Sequence, residues 1–170
     1  MKYSFDNWNN QSGTVPIEWQ KEDYTEKTEW YQHHGAGGFT TDNKNRNIYS
    51  KNIGVLIPKK VLPVFSDITQ YFDLKNIVCD LSKYTPGMVL PWHVDDYPTY
   101  SKNMAIANKN KIIRIIVFLH DSQPGHQLWI KDKFCFGPAG SWFSWAGQTN
   151  HMAANLGEND RYVVQITGHI

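Results

Sequence analysis

Two side chains of the kind that bind metal ions, His93 and Asp95, are separated by one residue in the run PWHVD (residues 91–95). Residues two apart on a β-strand project to the same face, so both can reach one ion from one side of a sheet. His151, much later in the chain, would add an imidazole from another strand. Two imidazoles and one carboxylate on one face of an octahedral ion leave three positions open, which non-haem Fe(II) needs to bind a bidentate cosubstrate and dioxygen. The spacing therefore predicts chemistry as well as metal binding.

The length and charge of the chain limit the classes of protein to consider. With 170 residues, the chain is expected to form one domain with a sizeable core. Its 17 basic and 16 acidic residues create no overall field that favours nucleic acid or an anionic membrane as a partner. The first residues lack the apolar stretch of a signal peptide, and no run approaches the about 18 apolar residues of a spanning helix. These features predict a cytoplasmic protein.

The composition also favours a mainly β protein without disulfides. Aromatic residues make up 14% of the chain, and many of them fall in short runs of alternating character, which suits half-buried sheets. Cys79 and Cys135 lie in such alternating segments. We therefore expect two buried thiols rather than a disulfide.

The N-terminal part of the chain differs from the rest. Residues 1–50 are polar, with a glycine-rich loop at 35–38, and should form irregular structure and edge strands around the core. The next segment predicts an amphipathic helix of three turns, with Pro63 in its first turn, that lies against the back of a sheet. The apolar residues at helical intervals in this segment are Val61, Phe65, Ile68 and Phe72.

Strands follow from residue 76 onward, punctuated by Gly, Pro and Asn. Eight short strands after one helix predict a jelly roll or a related double-stranded barrel. The only long gap, 96–111, follows the candidate ligands directly, where a substrate-covering loop would be useful. The predicted strands are 76–84, 88–95, 112–119, 126–131, 133–136, 141–145, 149–155 and 161–167.

Three segments, in this order, carry a family resemblance. They are YTPGMVLPWHVD (84–95), TNH (149–151) and RYVVQITG (161–168). Together they resemble the 2-oxoglutarate/Fe(II)-dependent dioxygenase superfamily, most closely its prolyl-hydroxylase-like branch, in a compact single-domain form. The resemblance implies a mainly β fold, a double-stranded β-helix (jelly-roll, cupin-like) with one or a few helices outside. It divides the predicted domain 1–170 into an N-terminal extension and supporting helix (1–75) and a core (76–168).

The resemblance also implies roles for particular residues. His93, Asp95 and His151 would bind catalytic Fe(II), and Arg161, ten positions after His151, would pair with the distal carboxylate of 2-oxoglutarate. A guanidinium can hold a carboxylate through two parallel hydrogen bonds, which lysine cannot reproduce. Tyr84 could donate its hydroxyl to the cosubstrate.

Each of these side chains also has a structural interpretation. His93 and Asp95 could form a surface hydrogen-bonded pair, and His151 could cap a strand end. Arg161 could pair with an exposed carboxylate at Glu158 or Asp160, two acidic residues that lie next to it in the sequence.

Arg114 is the only charge in the apolar run 112–119. A buried guanidinium needs a partner. Arg114 could bind the cosubstrate or the substrate, or it could pair with an internal carboxylate such as Asp80. Both alternatives stay open.

The other polar and aromatic residues of this region are predicted to be structural. His120 and His126, on either side of a turn, are interpreted as solvated strand ends. Trp92, Trp129, Trp142 and Trp145 are interpreted as packing residues. Asp96 should point away from Asp95, because neighbouring residues of a strand face opposite sides.

The predicted function is hydroxylation of a C–H bond with release of succinate and CO2. The implied partners are 2-oxoglutarate, dioxygen, and a peptide, a protein or a small molecule; a peptidyl substrate, prolyl included, or an amino acid is favoured. Many prolyl 4-hydroxylases carry Lys where this chain has Arg161, which departs from that substrate pattern. The alternatives are a non-catalytic cupin-like metal- or ligand-binding module and an isomerase that uses the ion as a Lewis acid.

Overall fold

The computed structural model describes residues 2–5, 10–19, 30–32, 54–56 and 63–170, and it is mostly β. The helical elements of this part are short: α1 (Pro63–Thr69), α2 (Pro98–Asn103) and a 3-10 turn (Lys109–Lys111). The strands are β1 (Ser12–Thr14), β2 (Trp30–Gln32), β3 (Gly54–Leu56), β4 (Lys75–Tyr84), β5 (Met88–His93), β6 (Ile112–Phe118), β7 (His126–Ile130), β8 (Lys133–Phe134), β9 (Ser141–Ala146), β10 (His151–Asn155) and β11 (Arg161–His169).

The strands form two antiparallel sheets. One has the order β1-β9-β6-β11-β4-β3-β2, and the other has the order β5-β10-β7-β8. From β4 onward, consecutive strands alternate between the sheets in the manner of a jelly roll, except for the β7–β8 hairpin within the second sheet. This arrangement confirms the predicted fold class. All eight predicted strands are present. The strand predicted at 88–95 ends at His93, and the strand predicted at 149–155 begins at His151.

Alternation along β11 separates two hydrophobic cores. Tyr162, Val164 and Ile166 belong to a cluster that also contains Ile68 of α1. Val163 belongs to a second cluster, which includes Tyr84, Phe118 and Leu128 and lies between the two sheets. Because successive residues of a strand face opposite sides, one strand supports the outer helix and lines the barrel interior at the same time.

The predicted helix is present but shorter than three turns. It begins at Pro63, as expected, and spans seven residues. Ile68 and Phe72, two of the four apolar residues of the predicted pattern, are buried. The helix ends early because the backbone of Tyr3 bonds to the carbonyl of Tyr71 and to the N–H of Asp73, at 2.7 and 2.9 Å. This pairing with the N-terminal segment replaces the last helical turn; Val61 lies outside the described residues.

Two other expectations also need correction or restriction. The gap at 96–111, expected to be a loop, contains α2 and the 3-10 turn. The glycine-rich segment 35–38 lies outside the described residues.

Both cysteines are free thiols, and burial raises the pKa of Cys79 to about 12 and that of Cys135 to about 11. No helix of the described ranges has the length and apolar character needed to cross a bilayer.

Candidate metal centre

The two strands that carry the histidines bring them face to face. His93 ends β5 and His151 begins β10, and the two are direct partners in the antiparallel register. Their ring centroids are 4.2 Å apart. Asp95 follows β5 by two residues, and one ligand atom from each of the three side chains lies within 4.8 Å of the others. The residues that the His-X-Asp spacing singled out therefore converge with His151 at one end of the barrel, which we call the metal end.

Alternation on β5 explains why these side chains point inward. His93 is buried and Asp95 is partly buried, whereas Trp92 and Val94 are 47% and 40% exposed. Trp92 therefore does not have the packing role that was predicted for it. His93 and Asp95 share the inner face because they are two residues apart.

Backbone carbonyls hold both imidazoles in one orientation. Nδ1 of His93 lies 2.7 Å from the carbonyl oxygen of Pro91, and Nδ1 of His151 lies 2.9 Å from that of Thr149. A carbonyl can only accept, so each Nδ1 carries a proton, and in the neutral imidazole Nε2 presents the lone pair. The Nε2 atoms lie 3.5 and 3.7 Å from oxygens of Asp95. Two nitrogen lone pairs and a carboxylate thus face one small space, as in a site for a divalent ion.

The charge states suit a cation. Burial lowers the pKa of His151 to about 4, despite the opposing charge of Asp95, so this imidazole is neutral near pH 7. Burial alone would raise the pKa of Asp95, but the charge of Arg114 and the hydroxyl of Tyr97 hold it well below its usual range. The carboxylate is therefore ionised, and a bound cation would not have to displace a proton from it.

Arg114 reaches this carboxylate from the other sheet. It lies on β6, and its Nη2 donates to Oδ2 of Asp95 at 3.3 Å. Arg114 therefore pairs with an internal carboxylate, Asp95, and the charge of Asp80 also acts on it. Tyr97 also donates its hydroxyl to Oδ2, at 2.8 Å, and its ring lies 5.1 Å from the Arg114 guanidinium. The sequence reasoning missed Tyr97, whose only signal is its place two residues after Asp95.

Arg161 lies deeper in the barrel. It begins β11 opposite Tyr84, the last residue of β4, and only 3% of its surface is exposed. Its Nη1 donates to the carbonyl oxygen of Gln127 at 2.5 Å, and its guanidinium lies 4.8 Å from the ring of Phe118 and 5.9 Å from that of Tyr84. Burial lowers its pKa to about 10, against the opposing influence of Tyr84.

No carboxylate of the described ranges lies within ion-pair distance of Arg161. Asp160, one of the proposed surface partners, pairs instead with Lys83 at 2.7 Å. A guanidinium has five N–H donors, and one carbonyl satisfies only a part of them. Because an unpaired buried charge is costly, Arg161 is suited to bind an anion that enters the barrel.

Of the remaining residues that were interpreted as structural, three agree with that interpretation and His126 differs from it. Trp142 and Trp145 are buried, as expected, and the ring of Trp145 packs 4.5 Å from that of His151. Asp96 is exposed and pairs with Lys109, which agrees with its structural interpretation. His126 was predicted to be solvated, but it is only 2% exposed. It faces inward with alternate residues of β7, and its Nδ1 accepts from the N–H of Gln123 at 3.2 Å.

A cavity of about 430 Å³ lies at the metal end. Its walls come from the ends of β7 and β9, the 3-10 turn before β6 and the segment before β10. Gln148 connects it to the candidate centre, since its Nε2 donates to the backbone oxygen of Asp95 at 3.4 Å. The cavity is lined by Asn108, Asn110, Lys131, Ala146, Gln148 and Thr149.

Sequence comparisons identify no relative of this chain. No protein-family model matches it. No curated protein matches it either.

Solved structures show the same fold at low identity. The alpha-ketoglutarate-dependent non-heme carbocyclase SnoK from nogalamycin biosynthesis is 12% identical, with a TM-score of 0.58 over 93% of this chain and 79% of that one. A Pseudomonas putida prolyl-4-hydroxylase is 16% identical, with a TM-score of 0.50 over 69% of this chain and 73% of that one. At these identities the likeness establishes the cupin-like fold alone.

Proposed function

We propose that the protein is an Fe(II)- and 2-oxoglutarate-dependent dioxygenase that hydroxylates a C–H bond of a peptidyl or amino-acid substrate. The observation that supports this proposal is the convergence of His93, Asp95 and His151 in a barrel whose interior also holds Arg161, which has no carboxylate partner among the described residues. The donor set fits Fe(II), since it combines two imidazoles with one carboxylate and leaves three positions of an octahedral ion open. A structural ion would instead call for a closed set of ligands.

Fe(II) and 2-oxoglutarate, when bound, would supply the oxidation, in which 2-oxoglutarate, dioxygen and a C–H bond yield succinate, CO2 and an alcohol. The chain contributes binding and orientation. His93 and His151 offer Nε2 because the carbonyls of Pro91 and Thr149 hold their Nδ1 protons. The packing of the Trp145 ring on His151 keeps this side of the site apolar.

Arg161 would bind the distal carboxylate of the cosubstrate. Gln127, whose carbonyl anchors the guanidinium, pairs with Ala154, which is three residues along β10 from His151. At about 3.3 Å per residue, this register places the anchor about 10 Å from the metal end. A five-carbon dicarboxylate that binds an ion at one end and a guanidinium at the other covers such a distance. Tyr84, which is 4% exposed beside Arg161, would line the same path.

The substrate would enter at the metal end. The cavity of about 430 Å³ there is lined mainly by amide, hydroxyl and ammonium side chains. Such groups hydrogen-bond to the amide and carboxylate groups of peptides and amino acids. The prolyl-4-hydroxylase among the structural neighbours supports a peptidyl substrate, prolyl included.

The proposal is tested first by binding, without dioxygen. Addition of Fe(II) and 2-oxoglutarate to the protein should produce a visible charge-transfer band, and Arg161→Ala should weaken this response to 2-oxoglutarate. Admission of dioxygen should then release succinate. Absence of the band would favour a non-catalytic cupin-like module. A band without dioxygen-dependent succinate would favour Lewis-acid chemistry, as in an isomerase.

A further inference from the structure

The two oxygens of the Asp95 carboxylate have different surroundings. Oδ2 accepts the hydroxyl of Tyr97 at 2.8 Å and Nη2 of Arg114 at 3.3 Å. Oδ1 lies 3.5 Å from Nε2 of His93, and Oδ2 lies 3.7 Å from Nε2 of His151, so both oxygens border the candidate site. A carboxylate oxygen has two lone pairs, and two donors occupy both of those on Oδ2. Oδ1 is therefore the oxygen with lone pairs left for an ion.

Tyr97 and Arg114, the two donors to Oδ2, are both held in place by the surrounding structure. Tyr97 is 8% exposed and has the left-handed backbone conformation, φ 48°, which a bulky residue rarely adopts. Its carbonyl accepts from the N–H and the hydroxyl of Ser101 at 2.9 and 2.7 Å. Arg114 lies in the middle of β6, between β11 and β9 in the sheet. The side chain of Arg114 is 13% exposed, so neither donor is a freely moving surface group.

The orientation of the carboxylate decides how many positions of the ion stay open. A carboxylate can bind an ion through one oxygen or through both. With two imidazoles and one oxygen, an octahedral ion keeps three open positions; with both oxygens it keeps two. A keto acid that binds through two atoms and dioxygen together need three.

We propose that Tyr97 and Arg114 are positioning residues that occupy the lone pairs of Oδ2 of Asp95 and so keep the carboxylate monodentate. This inference rests on the proposed function, because it assumes the same metal site. Tyr97 contributes more than Arg114 to this orientation, because its hydroxyl makes the shorter contact with Oδ2. Removal of the hydroxyl frees one lone pair of Oδ2, and the carboxylate can then rotate to bind the ion through both oxygens, at the expense of one open position.

The experiment counts the water molecules on a bound ion. Mn(II) serves as the probe, because its bound waters accelerate the relaxation of bulk water protons. The full-length wild-type protein should show the relaxivity of three coordinated waters. Tyr97→Phe should lower the relaxivity per bound ion by about a third, as expected for three waters falling to two. Oxalate, which occupies two positions, should leave one water in the wild type and none in the variant.

Tyr100→Phe is the matched control. It also removes one tyrosine hydroxyl, but the hydroxyl of Tyr100 contacts the carbonyl oxygen of Asn76 and the ring of His169, at 2.9 and 3.1 Å, and not Asp95. Its relaxivity should equal that of the wild type. Arg114→Lys is the second variant and applies also if Tyr97→Phe does not fold: it retains the positive charge but loses the planar fork, and it should lower the relaxivity in the same direction.

The outcomes separate the two proposals. A wild-type protein that binds no Mn(II) would refute the metal site and with it the proposed function. A wild type with only two waters, or variants with the wild-type relaxivity, would overturn the positioning role and leave the proposed function intact. A purely structural role of Tyr97 would lower the thermal stability without a change in the number of waters.

Discussion

The metal end and the Tyr84–Arg161 pair are both buried polar sites in one barrel, but their charges are arranged differently. At the metal end, the Asp95 carboxylate already has a cation, Arg114, and a hydroxyl donor. Arg161 has a backbone carbonyl and two aromatic rings around it, and no acidic partner in the described ranges. The carboxylate of the first site has cationic and hydroxyl partners before any ligand binds, whereas the guanidinium of the second has no acidic partner among the described residues and can accept one from a ligand. We therefore expect that removal of the Asp95 charge destabilises the ligand-free protein, whereas removal of the Arg161 charge does not.

Asp95→Asn should have the largest effect, because it removes the anionic ligand but keeps the shape of the side chain. Mn(II) binding should weaken by more than about 100-fold, beyond the 10- to 100-fold typical of a lost supporting contact. The free energy of unfolding of the metal-free protein should also fall, by about 1 to 3 kcal/mol, because Arg114 loses its partner. Chelator competition and urea denaturation measure the two quantities.

Asp96→Asn controls for a general effect of charge in this segment. Asp96 is exposed and pairs with Lys109, so its substitution should leave Mn(II) affinity unchanged. Equal affinities of Asp95→Asn and the wild type would contradict the role of Asp95 as a ligand.

Arg161→Leu should show the opposite pattern. The affinity of the Mn(II)-loaded protein for 2-oxoglutarate should fall by about 10- to 100-fold, as expected for a lost charge-assisted hydrogen bond. Mn(II) affinity should stay within about twofold, and the stability of the ligand-free protein should not decrease, because an unpaired buried charge is replaced by an apolar side chain. Calorimetric titration without dioxygen measures both affinities.

Arg161→Lys sharpens this result. It retains the charge but loses the fork geometry, so it should bind 2-oxoglutarate with an affinity between those of the wild type and Arg161→Leu. Losses of 2-oxoglutarate and Mn(II) affinity by the same factor would show that the two sites are not separate.

Tyr84→Phe should have the smallest effect. A single neutral hydrogen bond contributes about 0.5 to 1.5 kcal/mol, so 2-oxoglutarate should bind about 2- to 10-fold more weakly, and Mn(II) as before. Calorimetric titration without dioxygen measures both affinities. An affinity equal to that of the wild type would remove Tyr84 from the cosubstrate site and leave it as a packing residue beside Arg161.

Local patterns predicted most of the fold, and long-range contacts explain the differences. The alternation of apolar residues located the eight core strands, because burial on one face imposes a period of two. Helical spacing located Ile68 and Phe72, but the helix stops at Thr69 because the distant Tyr3 pairs with the backbone around Tyr71. The burial of His126 was missed for a similar reason: its exposure depends on whether the inner face of β7 is covered.

The sequence by itself determined the ligand types, the same-face spacing of His93 and Asp95 and the strands that carry them, because these depend on neighbours along the chain. Only the tertiary structure decided that His151 lies opposite His93, that Arg114 and Tyr97 share one oxygen of Asp95, and that Arg161 has no carboxylate partner in the described ranges. These facts depend on register and on the crossing of strands between sheets. A pairing of side chains from different strands is set by the packing of the whole barrel, and no local pattern encodes it.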